Sequence, residues 1–232
     1  MTENRTVSDL LVTVTSPRSP ISEAYRALRT NLQFVSLDKP LRTILVTSPG
    51  ADEGKSTLVA NLAIAMAQGE RRVILVDCDL RRPNLHALFG LGNKIGLTSM
   101  MVAEAAMAEP PLQETGVPGL QLLASGPLPP SPSDLLGSRR MDAVLAALKE
   151  RAEVVLLDSP PVVAVSDAAI LATKVDGVLL VVSAGQTRRE GVQAARAKLD
   201  KVNANLLGAV LMNAAMDSSL SRYYEARQEA AG

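Results

Sequence analysis

The chain has 232 residues, 47% hydrophobic and 21% charged, with 24 basic residues against 24 acidic ones. This mix excludes disordered and fibrous classes, and a zero net charge argues against a protein that grips nucleic acid through charge alone. With 2% aromatics and no Trp there is no stacking platform for single strands. Cys78 is the one cysteine, so no internal disulfide forms and a reducing compartment fits. No apolar run nears the ~18 residues that span a bilayer, and the start lacks a signal-peptide core. A cytoplasmic chain with one folded domain is expected.

In chain order, residues 1–15 carry no clear pattern and are expected to be mobile. Pro20–Leu37 reads as a helix, with Ile21, Tyr25, Leu28, Leu32 and Val35 at helical spacing and Glu23, Arg26 and Arg29 on another face. Candidate strands follow at Arg42–Thr47, Val73–Asp77, Leu120–Ala124, Val154–Asp158, Val178–Ser183 and Leu206–Asn213. Several are apolar throughout, as strands covered on both faces must be. Helical patterns at Lys55–Gln68, Arg139–Arg151, Asp167–Thr173 and Arg188–Val202 lie between them. The alternation predicts an α/β fold: three layers, doubly wound, a mostly parallel sheet with helices on both faces. Seven of the fourteen prolines fall between Pro110 and Pro132, and these are read as surface loops around a strand, not as a domain linker. The domain is therefore expected over 16–215, followed by a tail over 216–232.

The strongest motif is TSPGADEGKST, Thr47–Thr57, between an apolar strand and a helix. Glycine lets the backbone approach an anion, and successive N–H groups at a helix start point toward it, so Gly50, Ala51, Asp52, Glu53, Gly54, Lys55, Ser56 and Thr57 form a candidate phosphate loop. Lys55 would reach the outer phosphates and the Ser56 hydroxyl would join a magnesium shell. Pro49 occupies the position where the first glycine of the usual pattern stands. Asp77 and Asp79 end the strand VILVD and its turn, and Asp158 ends VVLLD, so all three gather at the carboxyl ends of the strands, where α/β sheets bind ligands. Acids beside a phosphate site imply a metal, so Ser56, Asp77, Asp79 and Asp158 are the candidate magnesium residues.

These motifs resemble the bacterial tyrosine kinases, the capsular and exopolysaccharide autokinases built on a P-loop ATPase fold. The resemblance runs from about Ser16 to Tyr224 and takes in the deviant phosphate loop, VILVDCDLRR, VVLLDSPP, GPLPPSPSDLL and the spacing E-x-x-R-x-x-R at Glu23, Arg26 and Arg29. It implies transfer of the ATP γ-phosphoryl to tyrosine, with ATP and Mg2+ as cofactors and Lys55, Asp77, Asp79 and Asp158 as catalytic residues. Asp77 is slightly preferred as the base, although spacing does not separate it from Asp79. Arg81 and Arg82 steady phosphates or the acceptor, or are surface charge. Asn213 resembles an adenine-reading asparagine. Glu23, Arg26 and Arg29 imply assembly into a ring, an octamer in the family, and Tyr223 and Tyr224 imply phosphoacceptors on the tail. A transmembrane polysaccharide co-polymerase that activates the kinase, recruitment by it to the inner face of the membrane, and a cognate tyrosine phosphatase are implied as well; nucleic acid is not. The rival readings are a partition or positioning ATPase, whose extra loop lysine is replaced here by Gly50, and a regulatory relative that binds ATP without transferring phosphate.

Overall fold

The computed structural model describes residues 8–35 and 40–215. Its strands are Thr43–Thr47 (β1), Val73–Asp77 (β2), Gln113–Glu114 (β3), Leu120–Leu123 (β4), Val154–Asp158 (β5), Gly177–Ser183 (β6) and Leu206–Met212 (β7). The helices are Val12–Thr15 (α1), Pro20–Val35 (α2), Lys55–Ala67 (α3), Leu85–Leu88 (α4), Leu97–Val102 (α5), Glu104–Ala108 (α6), Pro132–Gly137 (α7), Arg139–Arg151 (α8), Asp167–Ala172 (α9) and Arg189–Lys201 (α10). The seven strands form one sheet in the order β3-β4-β2-β5-β1-β6-β7, parallel except for the β3–β4 edge pair.

Each central strand buries both faces. Ile44 and Val46 of β1 pack into one core with α2, α3 and α4, while Leu45 between them enters a second core with α8, α9 and α10. That division of alternate residues is why the strands are apolar throughout, and it makes the three layers. Helix α3 is buried almost all round, from Leu58 to Ala67, because α1 and α2 cover the side turned away from the sheet.

Two expectations need correction. Residues 8–15 are not a loose start: Leu11 is fully buried in the core, and the Thr13 N–H and hydroxyl both donate to Asn61 Oδ1 on α3, at 3.1 and 2.9 Å. The apolar stripe of α2 is shorter than its sequence spacing suggests. Tyr25 and Leu32 are buried, but Ile21 and Val35 at its two ends are about half exposed. The tail with Tyr223 and Tyr224 lies outside the described residues.

Candidate functional site

The phosphate loop leaves the end of β1 and enters α3. Asp52 and Gly54 take left-handed backbone angles, φ 57° and 86°, on either side of Glu53. Backbone of this kind turns successive N–H groups into one concavity, which suits an anion. A cavity of about 510 Å³ opens over it, lined by Asp52, Gly54, Lys55, Ser56, Thr57 and Asp79 among others. Lys55 is buried at the first position of α3, so its charge is presented into this cavity from a low-dielectric wall.

The three acids divide into distinct environments. Asp77 and Asp158 are register partners on β2 and β5, and both are fully buried. The Ser56 hydroxyl donates to Asp158 Oδ2 at 2.5 Å, while Asp158 Oδ1 has no partner among the described residues. Burial pushes the Asp158 carboxyl up to about 7, against the lowering effects of the Ser56 hydrogen bond and the Lys55 charge. Asp77 is pushed well above the ordinary range, by burial first and by the neighbouring Asp158 charge second. Its Oδ2 accepts from the Asn84 and Leu85 N–H groups, both at 3.0 Å, and its Oδ1 from the Asp79 N–H at 3.3 Å. Asp77 thus ties the start of α4 to the end of β2, and its oxygens are spoken for. Asp79 stands at the cavity wall, where its Oδ1 accepts from the N–H groups of Arg81 and Arg82.

These positions alter several sequence expectations. Asp77 and Asp158 both lie beneath the cavity floor, and of the two it is Asp77 whose oxygens already accept from backbone amides. No group of three or more His, Cys, Asp or Glu side chains able to hold a metal occurs among the described residues. The fit is instead to magnesium, which keeps waters and phosphate oxygens and takes few protein ligands: the Ser56 hydroxyl and the unpartnered Asp158 oxygen at the loop are the chain's share. Glu53 turns its side chain away from the cavity, so its backbone is what the loop offers an anion. Arg81 is not a free phosphate clamp: its guanidinium pairs with the fully buried Asp167 of α9 through two bonds of 2.8 and 3.0 Å. Arg82 does line the cavity. Asn213, at the end of β7, donates from Nδ2 to the Ser183 hydroxyl at 3.0 Å. Cys78 is a buried core residue whose thiol burial pushes up, and Tyr25 is a core residue raised to about 12 by burial.

On α2 the three charged residues each have a partner within the chain, although the Arg29 Nε is buried with none among the described residues. Glu23 and Arg26 pair at 2.6 Å, Arg26 also donates to the Pro17 carbonyl, and Arg29 donates to the Ala65 carbonyl of α3 at 2.8 Å. Sequence reasoning missed Asn84 and Pro161 at the cavity and Asp167 behind it. Only the placement of Asn84 and Pro161 in the loops that follow the two acid-bearing strands could have flagged them.

Residues 44–221 match the model of the CobQ/CobB/MinD/ParA nucleotide binding domain. The tyrosine-protein kinase YwqD of Bacillus subtilis is 40% identical over 213 residues, 92% of this chain and 89% of that protein. Among solved structures, the kinase domain of the Escherichia coli tyrosine kinase ETK superposes with a TM-score of 0.86 at 31% identity, covering 94% of this chain and 85% of that one. The chimerical protein CapA2B2 gives 0.82 at 34% identity, covering 88% and 89%.

Proposed function

This chain belongs to the bacterial tyrosine kinases within the CobQ/CobB/MinD/ParA nucleotide-binding family, and on that footing we propose that it transfers the γ-phosphoryl group of ATP to tyrosine hydroxyls, its own tail included. The observation that carries the reading is the buried Lys55 beside Ser56 in the lining of an open cavity, with the Ser56 hydroxyl bonded to the buried Asp158 behind it. Phosphoryl transfer asks mainly for positioning and charge neutralisation, and those are what this wall offers.

In this mechanism the loop N–H groups and Lys55 hold the phosphates, and Ser56 with Asp158 would hold magnesium. Magnesium, when bound, offsets charge on the phosphate oxygens. Arg82 also lines the cavity, where its charge would orient the phosphate chain. A tyrosine hydroxyl has an ordinary pKa of about 10, so a carboxylate that accepts its proton helps. Asp79 takes that role better than Asp77, because Asp79 borders the cavity and Asp77 is committed to backbone amides. Tyr25 is excluded as an acceptor by its burial, which leaves Tyr223 and Tyr224.

The kinase is assigned to the control of capsular or exopolysaccharide synthesis, activated and held at the membrane by a transmembrane co-polymerase and reset by a phosphatase. No described helix is long and apolar enough to cross a membrane, which fits a membrane role supplied by a partner. Ring assembly is assigned to Glu23, Arg26 and Arg29, of which Glu23 is exposed while the two arginines are half-buried and bonded within their own chain. The domain is taken as 16–215, with residues 8–15 packed against it.

Lys55→Met tests the reading. Incubated with ATP and Mg2+ and probed for phosphotyrosine, the wild-type chain labels and the variant loses the signal, with its far-ultraviolet spectrum unchanged. Labelling retained by the variant would sink the proposed site. Absence of labelling in both, with ATP still bound, would favour the regulatory relative. In the same assay Asp79→Asn should lower the rate more than ATP binding.

A further inference from the structure

Glu53 lies in the phosphate loop yet is 4% exposed and stands outside the cavity. Its Oε1 accepts a hydrogen bond from the Thr187 hydroxyl at 2.8 Å, 134 residues along the chain. Thr187 follows β6, and its hydroxyl oxygen accepts in turn from the Ser183 N–H at 2.9 Å. The second oxygen, Oε2, has no partner among the described residues, so the hold on this carboxylate is the bond from Thr187. Its place in the loop gives that bond leverage. Glu53 sits between the left-handed Asp52 and Gly54; Asp52 is exposed and Gly54 has no side chain. The start of the loop is held by the Ser48 hydroxyl, which donates to the Gly50 carbonyl, and its second half, where the N–H groups turn, is anchored at Glu53.

We infer that Thr187 is a positioning residue for the nucleotide: its hydroxyl fixes Glu53, and through Glu53 the phosphate loop, against the end of β6. This rests on reading the loop as the nucleotide site. A hydroxyl suits the task because it donates to the carboxylate and accepts from the backbone at once. Valine has nearly the same shape and does neither, leaving both groups unpartnered in the interior. The consequence falls on binding of the phosphates, which the loop performs, and less on the transfer step, which Lys55 and Asp79 perform.

The experiment compares Thr187→Val, Thr187→Ser, Glu53→Ala and the Glu53→Ala/Thr187→Val double variant in the full chain. The measurements are calorimetric affinity for ATP–Mg2+ and the ATP dependence of autophosphorylation, at a temperature where each variant keeps its native spectrum. The Val variant should raise KM and Kd for ATP about tenfold while kcat stays within about threefold, and Ser should restore both to within about twofold. The double variant should be no worse than the worse single one, because both remove the same bond. If Val does not fold, Glu53→Ala carries the same comparison against wild type. An unchanged ATP affinity, a Ser variant no better than Val, or additive losses in the double variant overturn the inference. A wild-type chain that binds no ATP–Mg2+ overturns the reading of the loop itself, whereas wild-type binding with an unaltered Val variant overturns only the role of Thr187.

Discussion

The strand ends and the charged face of α2 use ionic groups in opposite ways. Around the strand ends the carboxylates are buried, and two of them meet partners far along the chain: Ser56 and Asp158 are 102 residues apart, Arg81 and Asp167 86. On α2 the Glu23–Arg26 pair is one turn long, and the two side chains are 48% and 32% exposed. A buried carboxylate costs stability unless it is bonded, so it persists where the fold needs its charge. An exposed pair costs little and contributes little. The first region is built for chemistry at the expense of stability, and the second is available for contacts at almost no cost.

The largest consequence is a pH dependence that looks inverted for an acidic group. Burial raises the Asp158 carboxyl from 3.8 to about 7. The folded state therefore holds this proton more tightly than the unfolded state, and stability falls as pH rises through that window. The contribution is complete below about pH 4 and gone above the folded value. Asp77, raised in the same direction, adds to it. With nucleotide and magnesium removed, the wild-type chain should gain roughly 3 kcal/mol relative to Asp158→Asn between pH 7.5 and 5, at about 1.4 kcal/mol per unit. Urea midpoints at the two pH values measure it. An equal pH response in both proteins would break the contrast, because the acid would then be no more strained than a surface carboxylate.

A smaller effect separates a buried charge that is well partnered. Burial alone would raise the Asp167 carboxyl, but hydrogen bonds from Arg81 and Ser133 hold it below the ordinary range. Losing one partner of a fully buried pair costs about 3–5 kcal/mol. Here the Arg81 side chain is 40% exposed and can turn to water, so Asp167→Ala should cost about 2 kcal/mol. Because the Arg81 N–H also holds Asp79, phosphotyrosine formation should fall along with stability. A variant that loses stability and keeps full activity would show that this clamp does not position the acid.

These contrasts also explain what could be read from the sequence. The sheet was legible because strands covered on both faces must be apolar throughout, and the loop because glycine and Gly-Lys-Ser are local. Helix α1 was not legible: VTVT is a run of β-branched residues that propensity sends toward strand, and bonds donated by Thr13 to Asn61, 48 residues away, hold it in place. The same limit governs the site. Position at a strand end marked Asp77, Asp79 and Asp158, but period-two spacing could not tell that Asp77 faces the amides of α4 while Asp79 faces the cavity. The partners Asp167 and Thr187 lie 86 and 134 residues from the groups they hold, and no local pattern records such a pairing.

The smallest expected effect tests the other side of the comparison. Glu23 is in the first turn of α2, where its charge meets both Arg26 and the positive end of the helix. A helix pair at this spacing is worth about 0.2–0.5 kcal/mol and the helix end adds a similar amount. Arg26 keeps its bond to the Pro17 carbonyl when Glu23 is removed. Glu23→Ala should therefore shift the urea midpoint by less than about 1 kcal/mol, and the shift should shrink in high salt, as exposed pairs are screened. Assembly gives an independent reading of the same substitution. If Glu23 meets a second copy of the chain, light scattering with ATP and Mg2+ should show a large mass for the wild type and a smaller one for the variant, at nearly equal stability. A stability loss of several kcal/mol would place Glu23 with the buried charges, and unchanged mass would remove it from the ring.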